Sequence, residues 1–140
     1  MICENVMTKR MNCTVGSFAA IFLILPLFFS CGSVPKEIPE MTSQELIQNG
    51  QTNFENGNYK AALAYYNTAV ERFSDWANVY IEARYEIGHV FMKQKKYNLA
   101  EPIFNELLDI YKNSTPGTYP AAYKKLAEIE LAKIPHKKAE

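Results

Sequence analysis

The chain has 140 residues, 48% of them hydrophobic and 21% charged, with 15 basic side chains against 15 acidic. Without residues 1–30, which carry Lys9, Arg10 and Glu4, the balance is 13 to 14, a net of −1. Net charge therefore favours neither nucleic acid nor an anionic membrane surface as a partner, and cysteines at positions 3, 13 and 31 leave no disulfide or thiolate metal site to staple the chain downstream of them.

Lys9 and Arg10 give a positive start to an apolar run of 14 residues, Ser17 to Ser30, broken only by Pro26. That is shorter than the roughly 20 residues a helix needs to span a bilayer, and it has the form of a signal-peptide core. Ser30 suits the last position before a cut, whereas bulky Phe28 disfavours ordinary secretory cleavage. Leu27-Phe28-Phe29-Ser30-Cys31 resembles a bacterial lipobox, although Phe28 and Phe29 stand where that motif usually carries aliphatic and small residues. The resemblance implies a lipoprotein signal peptide over 1–30 and a covalent lipid of the palmitate type on Cys31, with no other cofactor expected. Residues 31–41, with Pro35 and Pro39, then read as the lipidated cysteine and an extended tether. Gly32, rather than the aspartate that holds enteric lipoproteins at the inner membrane, follows the cysteine. The implied address is a periplasm-facing position in the bacterial cell envelope, at the outer membrane rather than the inner.

The folded part is expected over 42–134, with 135–140 as a tail. Thr42-Ser43-Gln44-Glu45 is a capping box with Met41 and Leu46 as its staple, which opens a first helix running to Glu55. Asn56-Gly57-Asn58 breaks it, and Tyr59, Ala62, Leu63, Tyr66, Ala69, Val70 and Phe73 form the apolar stripe of a second helix. A connection over Ser74 to Asn78 leads to a third helix with Val79, Ala83, Ile87, Gly88 and Phe91 inward. Gln94-Lys95-Lys96 turns the chain into a fourth, striped by Tyr97, Ala100, Ile103, Phe104, Leu107, Leu108 and Tyr111. A fifth begins with Pro120 at its first position and ends before Pro135.

Gly50, Tyr59, Ala62 and Tyr66 recur as Gly88, Tyr97, Ala100 and Phe104, each pair 38 positions apart. Two segments that share this spacing and little else are copies of one helix-turn-helix unit. With Gly57, Ala69 and Phe91, these residues resemble the tetratricopeptide repeat, in copies over about 43–74 and 81–112 with a partial third helix over about 119–134. The family's spacing is 34, so four extra residues fall near Trp76. Lys95 stands where the family prefers glycine, Leu107 where it prefers alanine, and Pro102 sits early in the fourth helix. The resemblance implies an all-α fold of about five helices, antiparallel pairs stacked as a short right-handed solenoid.

In that family the first helix of each pair lines a groove. Transferred by spacing, the contact positions are Gln44, Ile47, Gln51, Phe54 and Glu55, then Glu82, Tyr85, His89, Met92 and Lys93, then Lys124, Glu128 and Leu131. Aromatic and thioether anchors among polar groups suit a protein or peptide partner of the envelope, and an unfilled terminal repeat leaves room for a homo-oligomer. The resemblance thus implies a non-catalytic adaptor, with service to a solute transporter as one setting. The rival is a module binding a small apolar ligand between Phe54, Tyr85 and Met92. His89 reads as a surface residue rather than a catalyst, and Glu82–Glu86 and Glu128–Glu130 read as solvated helix faces.

Overall fold

The structure, a computed structural model, describes residues 33–135; the leader, Cys31 and Gly32 and the tail 136–140 lie outside the described residues. Five helices account for the regular structure among them: α1 (Ser43–Glu55), α2 (Tyr59–Arg72), α3 (Ala77–Lys93), α4 (Tyr97–Lys112) and α5 (Ala121–Ala132). Each packs on the next, and α1 on α3 and α3 on α5 also touch, so the first helices of successive pairs form one face. None of the described helices is long and apolar enough to cross a membrane.

α1 starts where its capping box dictates. Thr42 Oγ1 accepts from the Glu45 backbone at 3.2 Å while the Glu45 carboxylate accepts from the Thr42 backbone at 2.8 Å. The two repeats then turn alike. Gly57, at φ 74, donates to the Phe54 carbonyl at 2.9 Å, and Lys95, at φ 58, donates to the Met92 carbonyl at the same 2.9 Å. The turn demands a left-handed residue in both copies, and Lys95 takes that conformation despite its Cβ.

The four extra residues between the repeats become one more helical turn. α3 has 17 residues against 13 in α1, and it begins at Ala77, ahead of the expected end of the connection at Asn78. The added turn carries Tyr80, whose hydroxyl donates to Glu106 Oε1 at 2.6 Å, while Arg84 one turn later pairs with the same carboxylate. Pro120 caps α5 rather than entering it, with ψ 115. Pro102 leaves α4 unbroken, because it is exposed and the carbonyl it fails to engage can bond water.

Two apolar clusters form the core. One gathers Leu46, Ile47, Tyr66, Ala83, Ile87 and Val90 between α1, α2 and α3, with Ile38 and Met41 of the preceding segment packed against it. The other gathers Ile81, Tyr85, Phe104, Leu107 and Ala127 between α3, α4 and α5. The segment before α1 is therefore fastened from Ile38 onward, and Arg72 adds bonds to the carbonyls of Ile38 at 2.8 Å and Pro39 at 2.7 Å.

Glu106 makes this architecture sensitive to acid. Burial alone would raise its carboxyl, but the bonds from Arg84 and Tyr80 outweigh that and hold it below the usual range. A carboxylate with a depressed native pKa stabilises the fold above its unfolded pKa and loses that contribution as pH falls through the native value. With side chains 34% and 22% exposed, the pair is screened by solvent, so Glu106→Gln is expected to cost about 0.5–1 kcal/mol at pH 7. Urea unfolding followed from pH 6 down to pH 3 should show the wild type losing that advantage over the variant.

Candidate functional site

Repeat spacing brings Gln51, Phe54 and Glu55 of α1 beside Tyr85, Glu86 and His89 of α3, around a cleft of about 380 Å³. A smaller depression of about 260 Å³, lined by Ser43, Gln44, Ile47, Val79 and Glu82, occupies the same pair of helices about two turns towards their N-termini. Together they make an open seam. Its apolar content is aromatic: Phe54 and His89 have ring centroids 5.2 Å apart, and Tyr85 stacks on His89 at 5.9 Å with an interplanar angle of 15°. From α5, Tyr123 tilts against Tyr85 at 5.6 Å.

Charge on this face is negative. Gln51 Nε2 donates to Glu86 Oε1 at 3.3 Å, which ties the two walls together. Burial holds the Glu86 carboxyl above the usual range; the Gln51 bond opposes that shift and nearby Glu82 adds to it. Tyr85 is pushed up to about 12, by burial first and then by the charges of Glu130 and Glu86. Tyr123 is raised by burial, then by its interaction with Glu82 and the charge of Glu86.

His89 and Glu130 depart from the sequence reading, which left both in solvent. α5 folds back along α3, so Glu130 is only 6% exposed and stands 3.8 Å from His89 Nδ1, too far for a hydrogen bond. Lys133 Nζ donates to Glu130 at 2.7 Å. Burial lowers the His89 pKa against the pull of Glu130, and Lys133 and Lys93 lower it further, so the imidazole is neutral at pH 7. Glu86 likewise is half-buried rather than a solvated face. An i,i+4 pair of glutamates carries no signal of which neighbouring helix will cover one of them.

Eight of the thirteen transferred positions line the seam's two clefts: Gln44, Ile47, Gln51, Phe54 and Glu55 from α1, and Glu82, Tyr85 and His89 from α3. Of these, Tyr85 is a floor residue, 7% exposed, and Ile47 belongs to the core at 6%. Met92 and Leu131 pack against the second apolar cluster. Lys93 and Glu128 are exposed, Glu128 pairing with Lys125 at 3.7 Å, and Lys124 faces a separate hollow with Tyr111 and Tyr119. Phe54, Tyr85 and Met92 thus do not enclose one cavity. Phe54 packs on the first cluster and Met92 on the second. Among the described residues no group of three or more His, Cys, Asp or Glu is placed to hold a metal ion.

Residues 47–75 and 81–114 match the tetratricopeptide repeat family. The chain carries two tetratricopeptide repeats. Both matched segments start on the groove helix and end past its partner, so they take in α1–α2 and α3–α4 and stop short of α5. Proteins of this family are protein-interaction scaffolds, typically without catalytic activity. An uncharacterized protein of Treponema pallidum (strain Nichols) is 29% identical over 138 residues, covering 96% of this chain and 55% of the relative. The chain thus spans about half the length of the curated relative it matches. No solved structure matches it.

Proposed function

We propose that this protein is a lipid-anchored adaptor of the bacterial cell envelope, which holds a protein or peptide segment along the α1–α3 seam. The observation that carries the adaptor reading is the seam itself: an open cleft whose aromatic floor of Phe54, Tyr85 and His89 is rimmed by Gln51, Glu55 and Glu86. Apolar anchors with polar orienting groups at their edges suit an extended chain better than a small apolar ligand, which needs enclosure on most sides.

The anchor reading rests on the positive start, the apolar run and Cys31. The likeness to the Treponema pallidum protein extends over 96% of the chain and so takes in most of this leader. Because the chain is fastened from Ile38 onward, only Gly32 to Glu37 would link a lipid on Cys31 to the domain. At about 3.4 Å per extended residue, that link reaches roughly 20 Å, which would keep the groove close to the membrane surface. Gly32 after the cysteine favours the outer membrane.

A photoreactive residue at Glu55 on the rim, compared with one at exposed Lys112 on α4, tests the adaptor in native envelopes. A discrete protein adduct at position 55 alone is the expected result; a metabolite adduct there, or identical adducts at both positions, would overturn it. The anchor is tested separately by detergent-phase partitioning. Wild type should enter the detergent phase, and Cys31→Ser should not.

A further inference from the structure

Glu82 and Glu86 stand one helical turn apart on α3 and share a face. Among the described residues, Glu106 and Glu130, also withdrawn from water, pair with Arg84 and Lys133. Glu82 and Glu86 have no such partner there. The bond from Gln51 to Glu86, at 3.3 Å, is long for its kind and leaves most of the acceptor capacity of the half-buried carboxylate unused.

A second, independent group points into the same place. Tyr66 of α2 is fully buried, its ring lies against Gly50, and its hydroxyl has no hydrogen-bond partner. The hydroxyl ends close enough to Glu86, Glu55 and Glu82 that all three carboxylates, after burial itself, oppose its ionisation. Gly50 is the residue before Gln51, so the phenol lies behind the α1 wall of the seam. A buried phenol without a partner costs stability unless something outside the chain completes it.

Half-buried carboxylates, an unused phenol oxygen and flanking aromatic rings are jointly complementary to one kind of group. An ammonium or guanidinium supplies only donors, pairs with carboxylates and rests well against aromatic faces. We propose that the seam recognises a lysine or arginine side chain of the partner segment, with Glu82 and Glu86 taking its charge and Tyr85 and Tyr123 flanking its stem. This rests on the adaptor reading and adds the sign of the charge the partner brings. A segment led by a carboxylate would meet repulsion from the same two glutamates.

The test pans a displayed library of random dodecapeptides on the full-length protein in detergent micelles, in parallel with Glu82→Gln/Glu86→Gln. Lysine and arginine should be enriched at least about twofold in wild-type selectants, and those peptides should bind the double variant about tenfold more weakly. Replacing the enriched residue by norleucine or citrulline should have the same effect. Glutamine keeps the shape of glutamate, and a thermal midpoint equal to or above that of the wild type shows that the fold is intact. Acidic or uncharged selectants that bind wild type and variant alike would overturn the cation proposal and leave the adaptor standing. No selectants from either protein would count against both.

Discussion

Phe104→Ala is expected to lower the unfolding free energy by about 3–5 kcal/mol, the largest single effect in the molecule. Phe104 has no exposed surface, packs against Tyr85 at a centroid distance of 5.9 Å, and lies on Gly88 at the centre of the second cluster. Removing the ring leaves a void between α3 and α4 that rigid helices cannot close, and α5 loses the layer on which Ala127 rests. Leu99→Ala, on the same helix but 43% exposed, is the control and should cost under about 1 kcal/mol. Urea unfolding of both variants checks the contrast; equal losses would mean that the second cluster is not a cooperative part of the fold.

Gly50→Ala is expected to destabilise by about 1–3 kcal/mol, although alanine is the better helix former by nearly 1 kcal/mol. A methyl group on Gly50 would come within 2.3 Å of Tyr66 Cε1 and 2.7 Å of Cζ, and Tyr66 is fully buried with little room to retreat. Gly88→Ala meets Phe104 less severely, at 2.7 Å, and should cost less. Trimming the obstructing ring distinguishes a clash from a loss of helix. Gly50→Ala should cost markedly less in a Tyr66→Leu background than in the wild type, measured as a double-mutant cycle.

These two pairs also show how far the fold was legible. Gly50 with Tyr66 and Gly88 with Phe104 are the same contact made twice, 38 residues apart. The repeat could be read because a close helix crossing needs a missing side chain on one helix and a large one on the other. The capping box of α1 and the left-handed turn at Gly57 were legible for a similar reason: each is a local rule satisfied by neighbours in sequence. Lys95 could be placed in the matching turn only through its repeat partner, since lysine has no preference for φ 58.

The candidate site was legible in part. Gln51, Phe54, Glu55, Tyr85 and His89 follow from the repeat phase, because a helix face is periodic. Glu86, Tyr123 and the Tyr66 hydroxyl do not, since their surroundings are set by which helix lies across them. Glu130 is the plainest case: nothing around it in sequence distinguishes it from Glu128, yet one is buried beside His89 and the other is in solvent.

The sequence by itself determined five helices and the phase of each apolar stripe, which depend on residues within a turn or two of one another. It also determined the pairing of the first four into two repeats, which depends on a recurring match of a small residue on one helix with a large one on the next. The tertiary structure decided which charges are withdrawn from water. Packing of α1, α3 and α5 side by side covers Glu86 and Glu130 while leaving Glu55 and Glu128 exposed; Glu130 meets Lys133, whereas Glu86 has no cation beside it among the described residues and its carboxyl is raised by burial.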